Sequence, residues 1–376
     1  MLERKRPRLH VFFGAGGVGK TTLSAGYAIH LAQSGRNVGL LSIDPARRLQ
    51  SALGAGAIQE SGTQIMERTP TQGSLHAAML NLEDSLQRWI AEAHLSAANS
   101  EQLLNHPFYK AVAQKIATAI ETLAPVRMAE WLEMYPDTDD LIIDTAPGLH
   151  AVDFIDRPER MLAFLDSKIL EWLKWFAGDA QEANFFQKTI RGGAQMILKG
   201  LGKAGGEGIL LGLAELLLML DQVLFRIMDR LAAARLWLQD PQTRIYLVCA
   251  VRDDSVAVVE SLASILQAKG MQAHATVLNR TIPPELITEF PRQFSANKST
   301  TALPSTGSVS TPPRAQDLLQ DYITAMIAMQ SELEARLQNK GRVVLLPVLS
   351  DLEDKSELRL TDLASLGSIL ARQLPC

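Results

Sequence analysis

Residues 14–21 read GAGGVGKT, that is Gly14, Ala15, Gly16, Gly17, Val18, Gly19, Lys20 and Thr21, followed by a second threonine, Thr22. This spacing matches G-x-x-x-x-G-K-[ST], directly after an apolar strand pattern and at the start of a helical one. Glycines allow consecutive backbone N–H groups to curl around phosphate oxygens, and the N-terminus of the next helix adds a favourable dipole. In such a loop Lys20 reaches the β- and γ-phosphates and the Thr21 hydroxyl ligates Mg²⁺.

Two further apolar runs end in an aspartate: Asp44 in SIDPARRL and Asp144 in LIIDTAPGLH. In an open parallel sheet the carboxyl ends of the strands face the ligand crevice, so these three strand ends are expected to converge. Asp144 is then placed to hold Mg²⁺ through its hydration shell, with Pro147 and Gly148 opening a loop that senses the γ-phosphate. Asp44 is placed to orient the attacking water. Guanine readers of the Asn-Lys-x-Asp type need an acid that is missing here: Asn279 precedes Arg280, Thr281 and Ile282, and Asn297-Lys298 precedes Ser299 and Thr300. ATP is therefore the expected nucleotide. Asn279, ending ATVLN, suits either an adenine contact or a plain strand-to-loop turn.

The elements that must position these residues follow from periodicity. Residues 9–13, 38–43, 141–143, 246–251, 273–278 and 343–346 are apolar on both faces and read as buried parallel strands. Helical patterns at 21–33, 103–123, 255–269 and 316–338 lie between them, which predicts an α/β, doubly wound, mostly parallel sheet with an inserted helical subdomain. The expected division is 1–157 for the first part of the core, 158–240 for the insert and 241–376 for the second part. Segments 200–208 and 295–314 are Gly-rich and Ser/Thr/Pro-rich and read as loops.

Composition narrows the function classes. The 376 residues carry a formal net charge of -4, which offers no general attraction to nucleic acid or anionic lipid. Two cysteines, Cys249 and Cys376, cannot build a disulfide framework or a multi-thiolate site within one chain, so a reducing, cytoplasmic setting is expected. The basic start, Arg4 to Arg8, runs into an apolar stretch too short for a secretion signal.

Together GGVGKTT, SIDPA, EWLEMY, IIDTAPGLH, RPERMLAFLD and VLNR resemble the ArsA/GET family of P-loop ATPases, the group of the arsenite-pump ATPase and the factor that delivers tail-anchored membrane proteins. The resemblance runs from about Val11 to Asn279, with a weaker match near Leu346, Pro347 and Leu363. It implies a homodimeric Mg²⁺-dependent ATPase with Asp44 in switch I, Asp144 opening switch II, and Asn279, Pro347 and Glu260 (in VVESL) near the nucleotide. It also exposes departures. The family's second P-loop lysine is replaced by Ala15, so Arg47 or Arg48 would have to supply that charge, or it goes unreplaced. DTAPTGH becomes DTAPGLH, keeping His150. The arsenite-binding cysteine cluster and the paired CxxC zinc site are both absent.

Residues 209–238 form an apolar helical pattern with a narrow polar stripe (Gly212, Glu215, Gln222, Arg226, Asp229), interrupted by charge before it could span a membrane. Its wide apolar face suits internal packing, a second subunit, or a groove for a hydrophobic helical client. A membrane-surface ATPase anchored by the tail at 361–376 is a weaker alternative, since Arg372 is the tail's one cation; stable membrane attachment is not expected. A nucleotide-binding scaffold with little hydrolysis is another.

Overall fold

In the computed structural model the described residues are 6–44, 48–54, 56–92, 120–148, 221–287, 315–349 and 358–374, with isolated positions between 154 and 162. The expected helix at 103–123 falls almost wholly outside them, as do the expected loops at 200–208 and 295–314. The chain forms two compact units: Met1–Met79 with Asp137–Val152 and Pro241–Cys376, and Leu80–Pro136 with Asp153–Asp240. The second unit takes in Leu80–Pro136 as well, which the expected boundary at 157 had left with the core.

The first unit is built on one eight-stranded sheet in the order β3-β4-β2-β5-β1-β6-β7-β8. Its strands are β1 (Arg8–Gly14), β2 (Val38–Ser42), β3 (Thr63–Met66), β4 (Leu75–Met79), β5 (Asp140–Asp144), β6 (Arg244–Ala250), β7 (Ala275–Thr281) and β8 (Val343–Pro347). All pairings are parallel except β3 with β4. The six expected strands are present, and the fold is a doubly wound α/β sheet of the P-loop type. β3 and β4 were not foreseen: TQIM is half-exposed, and LHAAM lacks the β-branched residues that mark a strand.

Helices α1 (Lys20–Gln33), α2 (Arg48–Leu53), α6 (Asp253–Ala268), α7 (Ala315–Gln338) and α8 (Leu360–Gln373) belong to this unit. α1 and α8 pack with backbones nearly touching, because Gly26 and Gly367 face each other; a Cβ on Gly367 would lie 1.9 Å from the Gly26 carbonyl oxygen. That close approach seats Leu363, Leu366 and Leu370 in the core beside Ile29 and Ala32. The apolar face of the C-terminal helix is thus packed internally.

The second unit contains α3 (Leu82–Glu92), α4 (Ile120–Met134) and α5 (Asp221–Leu238). α5 buries Val223, Ile227, Leu231, Ala234 and Leu238 along one stripe, each large side chain contributing at most about 1.5–3 kcal/mol. Phe225 and Leu236 lie on another face, 66% and 71% exposed. Charges also bind these helices: Glu130, fully buried, takes Arg88 at 2.6 and 2.9 Å and faces Arg127 at 3.4 Å, while Arg230 bonds Glu133 and Glu92 at 2.7 and 2.9 Å. No helix among the described residues is long and apolar enough to cross a membrane.

Candidate nucleotide site

Parallel pairing brings the ends of β1, β2, β5, β7 and β8 to one edge of the sheet, with Ser42 opposite Asp144 and Ala250 opposite Asn279 in register. The loop after β1 begins at Gly14, where any side chain is impossible: a Cβ would lie 2.0 Å from the Val248 carbonyl oxygen of β6. Gly17 and Gly19 take left-handed φ values of 74° and 95°. Gly16 and Gly17 are exposed, Ala15 and Val18 are buried, and Thr22 is half-buried in the first turn of α1. Gly19 caps α1 with no side-chain bond to the helix N-terminus and no acidic residue in its first turn, leaving those N–H groups to an anion.

Lys20 is 5% exposed and folds back over its own loop, donating from Nζ to the Gly14 and Ala15 carbonyls at 3.0 and 2.8 Å. Burial lowers its pKa, against the pull of Asp144 and Asp44. A buried ammonium held only by carbonyls is a cation in want of an anionic partner.

Asp144 is fully buried at the end of β5, where its Oδ2 accepts from Thr21 Oγ1 at 2.8 Å and from Ser42 Oγ at 3.0 Å. Its Oδ1 is buried with no hydrogen-bond partner. Burial pushes this carboxyl up to about 6, more than the bonds from Thr21 and Ser42 and the charge of Lys20 restrain it. An orphaned buried carboxylate oxygen beside a threonine hydroxyl fits a hydrated divalent cation, since that is the partner hard oxygen donors accept. Asp44, 7% exposed at the end of the β2 run, has Arg48 of α2 at 3.6 Å from Oδ2. Pro45, Arg47 and His150 lie outside the described residues.

The loop after β5 is docked onto the first: Gly148 N–H donates to the Gly14 carbonyl at 2.9 Å, and Thr145 Oγ1 donates to the Phe12 carbonyl at 2.7 Å. Sequence reading missed Ser42 and Thr145, though each sits within two residues of an aspartate it did select. Asn279 reaches the phosphate loop, donating from Nδ2 to the Val18 carbonyl at 2.8 Å, while its Oδ1 accepts from Arg280 N–H at 2.9 Å. Pro347 ends β8 opposite Thr281. Glu260, on α6, has its carboxylate bonded by Arg336 of α7 at 2.8 and 3.2 Å.

The sequence profile of the anion-transporting ATPases matches residues 8–301. Among individual relatives, the arsenical pump-driving ATPase of Escherichia coli is 30% identical over 166 residues, covering 43% of this chain and 27% of that protein. ATPase GET3 of Malassezia globosa is 24% identical over 286 residues, 76% of each chain, and ATPase get3 of Schizosaccharomyces japonicus is 31% identical over 159 residues, 40% of this chain and 45% of that protein. Apart from the Malassezia protein, the match spans about half or less of these curated relatives. With a profile match over most of its length and a P-loop, two strand-end aspartates and a parallel sheet in the expected places, the chain belongs to the ArsA family of anion-transporting ATPases.

Proposed function

We propose that this chain is a Mg²⁺-dependent ATPase whose cycle of binding and hydrolysis switches a helical unit that takes a hydrophobic partner, acting as a homodimer in the cytoplasm. The observation that carries the reading is the unpartnered Asp144 Oδ1 beside Thr21, with Lys20 held only by loop carbonyls a few residues away. Lys20 would exchange those carbonyls for phosphate oxygens, and the N–H groups of Gly16, Gly17, Val18, Gly19, Lys20, Thr21 and Thr22 would complete the cradle. Thr21 and Asp144 would hold Mg²⁺, which when bound neutralises charge developing on the phosphoryl oxygens. Asp44 would accept a hydrogen bond from the attacking water and orient it. The loop at Gly148, bonded to Gly14, would carry the phosphate's presence outward.

Phosphate release under saturating ATP is the direct test. Asp44→Asn should keep ATP affinity and lower turnover by about a hundredfold, the scale on which a water-positioning group acts. Equal losses in binding and turnover would assign Asp44 a structural role. The scaffold reading is favoured by one observation, the Arg48 guanidinium already beside Asp44; wild-type turnover no faster than that of Asp44→Asn would support it.

A further inference from the structure

We propose that the buried chain Asp140–His10–Tyr246, at the end of the sheet away from the nucleotide site, is an acid-sensitive latch. Neutral His10 ties β1 to β5 and β6; protonating it releases the tie and loosens β1 and α1, the two elements that carry residues 14–21 between them. The latch does not depend on what those residues bind.

The chain joins the first residues of three adjoining strands, since Arg8 pairs in register with Asp140 and His10 with Arg244. His10 is 1% exposed, and its two ring nitrogens meet different partners: Nε2 lies 3.0 Å from Asp140 Oδ1 and Nδ1 lies 3.2 Å from Tyr246 Oη. Asp140 is kept ionised by the Arg36 guanidinium on Oδ2, with Arg8 3.8 Å from Oδ1. An ionised carboxylate only accepts, so Nε2 carries the proton, Nδ1 is bare, and the Tyr246 hydroxyl donates to it. Donor meets acceptor at both bonds in this one arrangement.

A proton added to Nδ1 opposes it. That proton sets N–H against the O–H of Tyr246, whose hydrogen must then turn toward Tyr27, edge-on at 5.9 Å between ring centroids, or toward Arg244, which has donors only. The charged and titratable groups around the ring are Arg8 on β1, Asp140 on β5, Tyr246 and Arg244 on β6 and Tyr27 on α1, with Arg36 and Asp139 beyond Asp140 and His274 behind Tyr246. Cations already outnumber carboxylates there. Burial lowers the His10 pKa by more than the bond and charge of Asp140 raise it. A histidine whose folded pKa lies below its ordinary 6.5 stabilises the fold above 6.5; that contribution is lost as pH falls toward the folded value, by up to about tenfold in the opening equilibrium per pH unit.

The latch acts on both arms of the phosphate loop. His10 stands shortly before Gly14 on β1, and its ring packs edge-on against Tyr27 of α1, 5.3 Å between centroids. Phe12, nearer the loop, contacts the rings of both Tyr27 and Tyr246.

Nitrogen-15 NMR of the His10 ring in the nucleotide-free protein reads the latch directly. At pH 7.5 the ring should be neutral with its proton on Nε2, and it should titrate with a midpoint below 6.5. A ring charged at pH 7.5, or protonated on Nδ1 alone, would overturn the proposal. Hydrogen exchange, corrected for its intrinsic pH dependence, is then compared between wild type and His10→Gln, whose amide supplies a donor and an acceptor but no charge. Amides 9–13 and 23–29 should open by up to about tenfold more per pH unit below the His10 midpoint in the wild type, with no such rise in the variant. His30, His76 and Asp144 also titrate in this range and are common to both proteins. The same acid-driven rise in His10→Gln would overturn the latch. Should His10→Gln fail to fold, Tyr246→Phe decides: deleting the hydroxyl that neutral Nδ1 needs should raise the His10 midpoint, and an unchanged midpoint would overturn the latch.

Discussion

Asp140 and Asp144 open and close the same strand, both buried, yet their surroundings set them apart. At Asp140 burial pushes the carboxyl up, but bonds from His10 Nε2 at 3.0 Å and from Arg36 outweigh it, and the group lies below the usual carboxylate range. At Asp144 burial wins, to about 6 against an ordinary 3.8. Between these values the folded, metal-free protein binds more protons at Asp144 than the unfolded chain, so its stability falls as pH rises from about 4 to 6, by about 3 kcal/mol in all. Asp144→Asn should remove that slope and raise unfolding stability at pH 7.5 by about 1–3 kcal/mol, measured in urea without metal. Asp140→Asn should do the reverse, costing about 2–4 kcal/mol at neutral pH, because the stability it contributes is present above its unfolded pKa and is lost only as pH falls through its lowered one. Destabilisation by both substitutions would show that Asp144 is a structural carboxylate like Asp140.

Among the elements, the helices of the second unit join apolar packing to buried charge. Glu130 neutralises Arg127, which is itself fully buried, and pairs with Arg88. Glu130→Gln should therefore destabilise that unit by about 3–5 kcal/mol, seen as an earlier unfolding transition, while nucleotide affinity in the other unit stays near wild type. Phe225 and Leu236 stand three turns apart on the exposed side of α5. If this side takes an apolar helical client, Phe225→Asp with Leu236→Asp should abolish capture of such a peptide and leave the protein soluble and active; unchanged capture would exclude that face. The sequence made the buried parallel strands legible because apolar residues fall on both of their faces, and it made the phosphate loop legible because few residue types satisfy it. It left β3 and β4 unread because a short edge strand and an Ala-rich one carry little pattern. The bond from Asn279 to Val18 joins residues 261 positions apart, which no local spacing reveals. The α5 stripe was legible as amphipathic, but its inward side could be assigned only once α4 was in place; Leu217 of the same expected helix lies outside the described residues.

For the molecule as a whole, Ala15 leaves Lys20 as the one P-loop cation, and Ala15 is itself buried. A nucleotide bound there should consequently tighten homodimer association by less than about tenfold, about 1.4 kcal/mol, as read by sedimentation with and without a non-hydrolysable ATP analogue. Tightening of a hundredfold or more would point to another cation reaching the partner's phosphates, with Arg48 beside Asp44, or Arg47, the first to replace. The expectations about nucleotide and turnover depend on residues 14–21 holding Mg-ATP. Titration calorimetry of Mg-ATP into wild type and Lys20→Ala tests that most directly: the wild type should bind one ATP per chain only when Mg²⁺ is present, and Lys20→Ala should weaken binding by about a hundredfold, the scale of a charge-assisted contact to phosphate. Equal affinity in the two proteins would contradict the account and place the nucleotide elsewhere.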